Sequence, residues 1–403
     1  MKQLSRLGMM SRRRAFKTAY FACGNNAYGQ LAINNSSIFP NVLTAPVTPY
    51  TGVNQPDSWS AFSMRNNSVA AVKSDGTLWT AGDNTFGQLG LGDQTHRNRF
   101  TQVLCETSPG SGVIKTDWRD VGVGTEHIAA LDAQGNIWCA GRNDIAAAVG
   151  NGSRSPSNVL NFYNTALTAA PFRVSPIVFK AIKVGHRFTM GLDVNNDIWT
   201  WGNNGSRQLG RASPAGVENP TQDTYHRKID QPGPWLKMFA GGYHAAALHS
   251  NGEMYAWGLY SSGQRGAGVS SQTPAIIPKI GGVPWVDAYM GENTTFLRNA
   301  NGVLYACGTN GSGELGLGTT TTTTTPTALP GVWRMVAIDW YHAVGVRSDG
   351  TLWSWGSNQS GQLGLGGGGS VSVPTQIGTA TDWNGAVVGI YASMAYKSVE
   401  VTA

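Results

Sequence analysis

The chain has 403 residues, of which 13% are charged, and its net charge is +6. No apolar run approaches the roughly 18 residues of a membrane-spanning helix, and no apolar stretch follows the basic N-terminus as a Sec signal peptide requires, so cytoplasmic synthesis is expected. The four cysteines form neither a CxxC pair nor a zinc-ligand spacing, which excludes a zinc module and leaves buried structural thiols.

The first element is a basic arm. Residues 1–17 hold Lys2, Arg6, Arg12, Arg13, Arg14 and Lys17, and the first acid is Asp57. Residues 1–17 therefore carry the whole net charge, and the remainder is balanced. Leu4, Leu7, Met9, Met10 and Phe16 are interspersed with these cations. The arm, residues 1–16, is expected to be disordered alone and to dock into a protein neighbour, with nucleic acid admitted as a partner only here.

From residue 17 onward one unit recurs seven times. Its anchor glycines are Gly24, Gly82, Gly141, Gly202, Gly258, Gly308 and Gly356, each followed by a polar turn and a variant of Gly-Gln-Leu-Gly. Upstream lies a bulky aromatic: Trp59, Trp118, Phe179, Trp235, Trp285, Trp333 and Trp383. Asp-Gly, Asn-Gly or a related pair marks a hairpin between them, as at Asp75-Gly76 and Asp349-Gly350. The flanks alternate, as in Ser68-Val69-Ala70-Ala71-Val72, and no stretch holds a helical period. Several short antiparallel strands per unit, repeated seven times, predict an all-β, seven-bladed β-propeller over residues 17–403. The first unit has only its last strand and the final one only its early strands. Residues 17–23 are therefore expected to pair with residues 393–400 and close the ring.

The pattern W–x5–G–x2–H followed by DG–x–LW–x–WG–x–N–x2–GQLG–x–G resembles the regulator-of-chromosome-condensation (RCC-type) repeat. The segments Asp349–Gly366 and Asp75–Gly92 match it almost without a gap. The resemblance implies a seven-bladed propeller. It does not fix one activity, because that fold serves exchange factors, a photoreceptor, inhibitors and adaptors.

His127, His244 and His342 share one repeat position and are expected to be hydrogen-bonding residues of the core or of a loop. No catalytic, cofactor-binding or metal-binding motif is present, so a non-enzymatic protein without cofactors is expected. Gly366–Gly369 and Thr319–Thr325 read as low-complexity loops. Two features mark candidate partner surfaces. Asp339-Trp340-Tyr341-His342-Ala343 resembles the Gly-Trp-Arg-His-Thr motif of the plant ultraviolet photoreceptor. Light sensing needs several such tryptophans. Here the equivalents of Trp340 are Asn66, Thr125, His186, Gly242, Glu292 and Ile390, so Trp340 and Tyr341 read instead as an exposed contact pair. The second feature is extra length between anchors in the first four units, where Arg97, Arg99, Tyr225 and Arg227 are placed in loops on a protein-binding face.

Low charge, an excess of Thr, Asn and Gly and the basic arm favour a structural, protein-interaction ring in a large assembly. A bacteriophage virion is the expected setting, with the ring as a decoration, tail or receptor-binding component. The alternative is a chromatin-associated guanine-nucleotide exchange factor for a small GTPase.

Overall fold

Each unit is organised around its anchor glycine, which no other residue can replace. Gly82 has φ +104°, and a Cβ there would stand 2.2 Å from the Asn67 carbonyl oxygen. The next residue ties the same carbonyl down, since Asp83 N–H donates to Asn67 O at 2.9 Å. The Gly-Gln-Leu-Gly turn that follows is closed by an asparagine. The Asn84 side-chain oxygen accepts Leu89 N–H at 2.9 Å, and Asn358 accepts Leu363 N–H at 3.0 Å. The leucine is thereby driven into the core, where Leu89 and Leu363 are fully buried.

The computed structural model describes residues 16–33, 43, 59–105, 114–143, 149–150, 158–164, 177–211, 222–266 and 274–400. The strands are β1 (Phe16–Gly24), β2 (Trp59–Arg65), β3 (Ser68–Lys73), β4 (Leu78–Gly82), β5 (Arg97–Gln102), β6 (Trp118–Val123), β7 (His127–Asp132), β8 (Ile137–Gly141) and β9 (Val159–Asn164). They continue as β10 (Phe179–Val184), β11 (Phe188–Asp193), β12 (Ile198–Asn203), β13 (Gln222–Lys228), β14 (Trp235–Ala240), β15 (His244–His249), β16 (Met254–Gly258) and β17 (Ala275–Ile276). The last are β18 (Trp285–Met290), β19 (Thr294–Asn299), β20 (Val303–Gly308), β21 (Thr323–Ile338), β22 (His342–Arg347), β23 (Leu352–Gly356), β24 (Val371–Gln376), β25 (Trp383–Val388) and β26 (Ala392–Glu400).

These strands build an all-β propeller. Among the described residues, β2–β5, β6–β9, β10–β13 and β14–β17 each form a four-stranded antiparallel meander. β18 to β24 form one sheet because β21 is continuous. Its first part pairs with β20 and its last part with β22. β1 pairs with β26 from Phe16↔Glu400 to Gly24↔Ala392, in the order β1-β26-β25. A β-bulge follows each anchor aromatic, as between Trp59 and Ala61 or Trp333 and Met335, and adds local twist to the strand. Thr319–Thr322 form a loop, but Thr323–Thr325 open β21, because β-branched residues suit an extended strand.

The core lies between neighbouring sheets. Val72, Leu78 and Leu89 of one sheet pack against Trp118, Val121 and Trp138 of the next. Trp201, Trp235, Trp257, Trp285, Trp333 and Trp355 are fully buried. At about 25 cal/mol per Å2 and roughly 200 Å2 each, every such ring contributes on the order of 5 kcal/mol before ordering costs. Each polar end needs a partner, and two find one on the preceding unit. Trp257 Nε1 donates to Gln208 O at 2.9 Å and Trp355 Nε1 to Glu314 O at 2.8 Å. The four cysteines are buried free thiols, and burial alone pushes Cys23 up to about 12.

Inner strands surround an axial cavity of about 290 Å3, to which β2, β6, β10, β14, β18, β21 and β25 all contribute. Among the described residues no helix is long and apolar enough to cross a membrane.

Candidate functional site

The inner strands turn back around one end of this cavity, and the turns are stitched to one another through the backbone. Thr125 N–H donates to His186 O at 3.0 Å, His186 N–H to Gly242 O at 3.1 Å, and Gly242 N–H to Gly291 O at 2.8 Å. Glu292 N–H then donates to Asp339 O at 3.1 Å, and Ile390 N–H to Asn66 O at 3.2 Å. These are the residues that align with Trp340 in the repeat, or their neighbours. The anchor glycines clamp the same turns from behind, as at Asp83 N–H to Asn67 O. The result is a preorganised face around an axial mouth.

One turn crosses the mouth. Asp339 Oδ2 accepts Asn66 N–H at 3.1 Å, a contact spanning 273 residues of sequence. The Trp340 ring meets the edge of His186 at 6.0 Å and Tyr341 at 5.7 Å. Tyr341 stacks on Tyr391 at 6.2 Å, and His186 meets Tyr243 at 4.9 Å. Trp340 and Tyr341 are therefore half-buried in this face, rather than standing free as an exposed pair.

Beneath the aromatics is a charged cluster. Arg65, Glu292 and Asp339 are buried, with Glu292 only 2% exposed and Asp339 1%. Both Glu292 oxygens, Asp339 Oδ1 and Arg65 Nη1 lack hydrogen-bond partners. Burial pushes the Glu292 carboxyl up to about 7, with Arg65 pulling it down and Asp339 raising it. Burial also raises Asp339, against the pull of Arg65 and the Asn66 N–H. His186, buried and facing Arg65 and Arg187, is held down at about 3. On the flank, Glu126 accepts Arg142 at 3.1 Å and Arg187 at 2.8 Å, a charge-assisted set. Sequence reading missed Arg65, Glu126 and Glu292 as site residues. The signal was available in part, because Glu292 occupies the position of Trp340 in its own unit.

The other sequence candidates lie elsewhere. Arg97 and Arg99 are in β5, and Tyr225 and Arg227 in β13. They belong to outer strands of two sheets, not to loops. Arg97 pairs with Asp93 at 2.6 Å and Arg227 with Asp223 at 3.1 Å, so their charge is locally balanced. Arg12, Arg13 and Arg14, with the rest of residues 1–15, lie outside the described residues, while Phe16, read as part of the arm, opens β1. The repeat histidines are in the core. His127 Nε2 is 3.0 Å from Thr189 Oγ1 and His244 Nε2 is 2.7 Å from Thr295 Oγ1. Among the described residues no group of three His, Cys, Asp or Glu side chains could hold a metal ion.

Comparison with known proteins places this geometry. A bifunctional serine/threonine-protein kinase/NEDD4-like E3 ubiquitin-protein ligase of Dictyostelium discoideum is 26% identical over 223 residues, 54% of this chain and 11% of that protein. Human E3 ubiquitin-protein ligase HERC2 is 27% identical over 207 residues, 50% of this chain and 4% of its own length. The chain thus spans a small part of these curated relatives. The crystal structure of Prp20p from Saccharomyces cerevisiae superposes with a TM-score of 0.77 at 19% identity, covering 96% of this chain and 92% of that one. The expectation of a bacteriophage virion component is corrected by these matches, because the relatives are RCC1-like proteins. The composition that suggested it has a local cause. Asparagines such as Asn84 and Asn358 close the turns, and glycines such as Gly82 hold positive φ, so the fold itself demands the Asn and Gly content. With the RCC1-like domain matching residues 19–396, nearly every described strand falls inside the match, and the chain belongs to the RCC1-like domain family.

Proposed function

We propose that this chain is a seven-bladed RCC1-like propeller whose work is to dock a protein partner on the face around Asp339. Seven inner strand segments among the described residues, each beginning at an anchor aromatic, support that blade count, with Trp333 inside β21 and β21 serving two blades. The nine-residue pairing of β1 with β26 supports closure of the ring by its N-terminal strand. Residues 17–403 then form the ring and residues 1–16 a separate basic arm.

The observation that carries the docking reading is the stitched set of turns, which holds Tyr243, Tyr341 and Tyr391 at half-burial, with Tyr243 facing the Glu126–Arg187 pair. Preorganised aromatic and charged side chains reduce the ordering cost of association and are frequent anchors. Guanine-nucleotide exchange on a small GTPase is the activity this reading favours. Exchange factors are among the proteins that the RCC-type fold serves, and the structurally similar Prp20p has binding properties toward Gsp1p and histones. Such a ring acts by binding and takes no covalent step of its own. The test is release of fluorescent GDP from a Ran-type GTPase, with wild type beside Tyr243→Ala and Tyr391→Ala. Accelerated release that both variants diminish supports the reading. A GTPase that neither releases nucleotide faster nor co-elutes with the chain removes it.

The outer-strand residues Arg99, Tyr225 and Arg227, with Arg97, are proposed as a secondary partner surface on the rim. Arg12, Arg13 and Arg14 are proposed as the contact points of the arm with protein or nucleic acid. Cross-linking of a captured partner separates these from the axial face.

A further inference from the structure

The Asp339–Trp340 turn differs from its counterparts in reaching across the axis. Its three attachments come from three different turns. Asn66 N–H holds the Asp339 side chain, Glu292 N–H holds the Asp339 carbonyl at 3.1 Å, and His186 backs the Trp340 ring. Ile338, the preceding residue, and Arg65 both line the axial cavity, so the turn covers that end of it. The approach is close. A Cβ at Gly291 would stand 2.3 Å from Asp339 O, and one at Gly242 would stand 2.2 Å from Glu292 Oε2. Glycine at both positions lets the turn and the Glu292 carboxyl settle against neighbouring backbone.

We propose that the Asp339–Trp340 turn is a plug across the axial mouth, seated while Glu292 is protonated and released when that carboxyl ionises. The proposal deepens the docking reading by supplying regulation of the same face, and it rests on that reading only for its consequence to a partner.

The charges around Glu292 explain why ionisation unseats the plug. Arg65, from the end of β2, is the buried cation that faces both Glu292 and Asp339. Arg187 also faces Glu292 but is engaged by Glu126, at 2.8 Å, which Arg142 reaches at 3.1 Å. His186 Nδ1 stands 3.8 Å from Glu292 Oε1, yet its low basicity keeps it neutral and without charge to offer. Tyr243 and Tyr341 face the same carboxyl and are raised by burial, with the carboxyl adding to the effect, so they stay protonated. With Glu292 protonated, one guanidinium serves one carboxylate. With Glu292 ionised, two buried carboxylates share Arg65, and neither Glu292 oxygen has a hydrogen-bond donor. Like charges in a buried site favour hydration of one of them. Movement of Glu292 toward water breaks its backbone hold on Asp339 and lifts Trp340.

The test uses the full chain labelled with 5-fluorotryptophan. The resonance lost in Trp340→Phe identifies Trp340. Its shift and its solvent isotope effect are followed from pH 5.5 to pH 8.5. The plug predicts a sigmoidal change toward a solvated ring, with a midpoint near the value of about 7 that burial gives Glu292. Glu292→Gln keeps the resonance at its low-pH position throughout. Asp339→Asn removes the neighbouring charge and moves the midpoint down. A resonance that does not titrate in the wild type, or that titrates identically in Glu292→Gln, overturns the proposal. If circular dichroism shows that Glu292→Gln does not fold, Asp339→Asn decides, and an unmoved midpoint overturns it. No partner is needed, so failure of the docking reading leaves this result standing.

Discussion

His342 Nε2 lies 2.8 Å from Ser393 Oγ, joining two strands of successive units, and Ser393 Oγ in turn donates to Gln362 O at 2.7 Å. Because the serine proton goes to that carbonyl, the histidine must donate from Nε2, which fixes its tautomer. The relay returns to the Gly-Gln-Leu-Gly turn of the histidine's own unit, so one chain of hydrogen bonds locks turn, strand and next sheet. His244 repeats it through Thr295 Oγ1, which donates to Gln264 O at 2.6 Å.

Removing one member leaves a buried group unsatisfied. His342→Ala is expected to lower stability by about 1–3 kcal/mol. Ser393→Ala should cost a similar amount, and the double variant less than the sum. Urea unfolding of the four proteins measures the coupling. Strict additivity would show that the relay does not act as a unit.

The same histidines set the acid response. His127, His186, His244 and His342 are held down at about 3 by burial, against 6.5 for the unfolded chain. Between those values the unfolded state binds more protons. Each histidine therefore contributes stability that is complete above 6.5 and lost as pH falls toward 3, at roughly 1.4 kcal/mol per pH unit. Glu292 opposes them. Its folded value of about 7 lies above the ordinary 4.5, so its contribution is present below 4.5 and lost as pH rises to 7. Asp339, Asp120 and Glu314, also raised by burial, act in the same direction as Glu292. The four strongly depressed histidines are expected to outweigh these carboxyls and give a net loss on acidification from pH 6.5 to 4.5. A unfolding free energy that is flat across this window contradicts the assignment, and His244→Gln should make the slope shallower.

The propeller and the hydrogen-bonding role of its repeat histidines were legible because the same local chemistry is written repeatedly. Gly82 and its equivalents, the closing asparagines and the Asp-Gly hairpins are decided within a few residues. The axial cluster was not legible, because its members meet only after the ring forms. Arg65 ends an inner strand, Glu292 and Asp339 sit in turns of other units, and no spacing links them. Arg97 and Arg227 were misplaced in loops for a related reason. The outer strands β5 and β13 are rich in polar residues, since one side faces solvent, and read like connections.

Arg265 departs from the repeat in another way. It occupies the place of Leu31, Leu89, Leu209, Leu315 and Leu363, all fully buried, and is itself only 2% exposed. Burial lowers its pKa, the direction expected for a desolvated cation. The guanidinium stands over the Tyr260 ring at 6.0 Å, and removing one member of a buried charged contact costs about 3–5 kcal/mol because its partner is left uncompensated. Arg265→Leu is therefore expected to lower the melting temperature. A rise would mean that desolvation of the guanidinium costs more than its contacts return.

The role of β1 can be separated from that of the arm by two truncations. Tyr20 of β1 is buried and packs against Phe62 at 4.6 Å and Trp59 at 6.2 Å, side chains of the neighbouring β2. Ala22 and Cys23 are buried as well, and all nine residues of β1 pair with β26. Removing residues 1–24 therefore exposes apolar surface on two sheets and leaves the edge of β26 unpaired, an open template for association. The expected outcome is a large drop in melting temperature together with oligomers in sedimentation. Removing residues 1–14 keeps the whole of β1 and should leave the melting temperature unchanged. If the longer truncation melts like the full chain, ring closure through β1 contributes nothing to stability. If the shorter truncation already melts early, the boundary between arm and ring near residue 16 is misplaced.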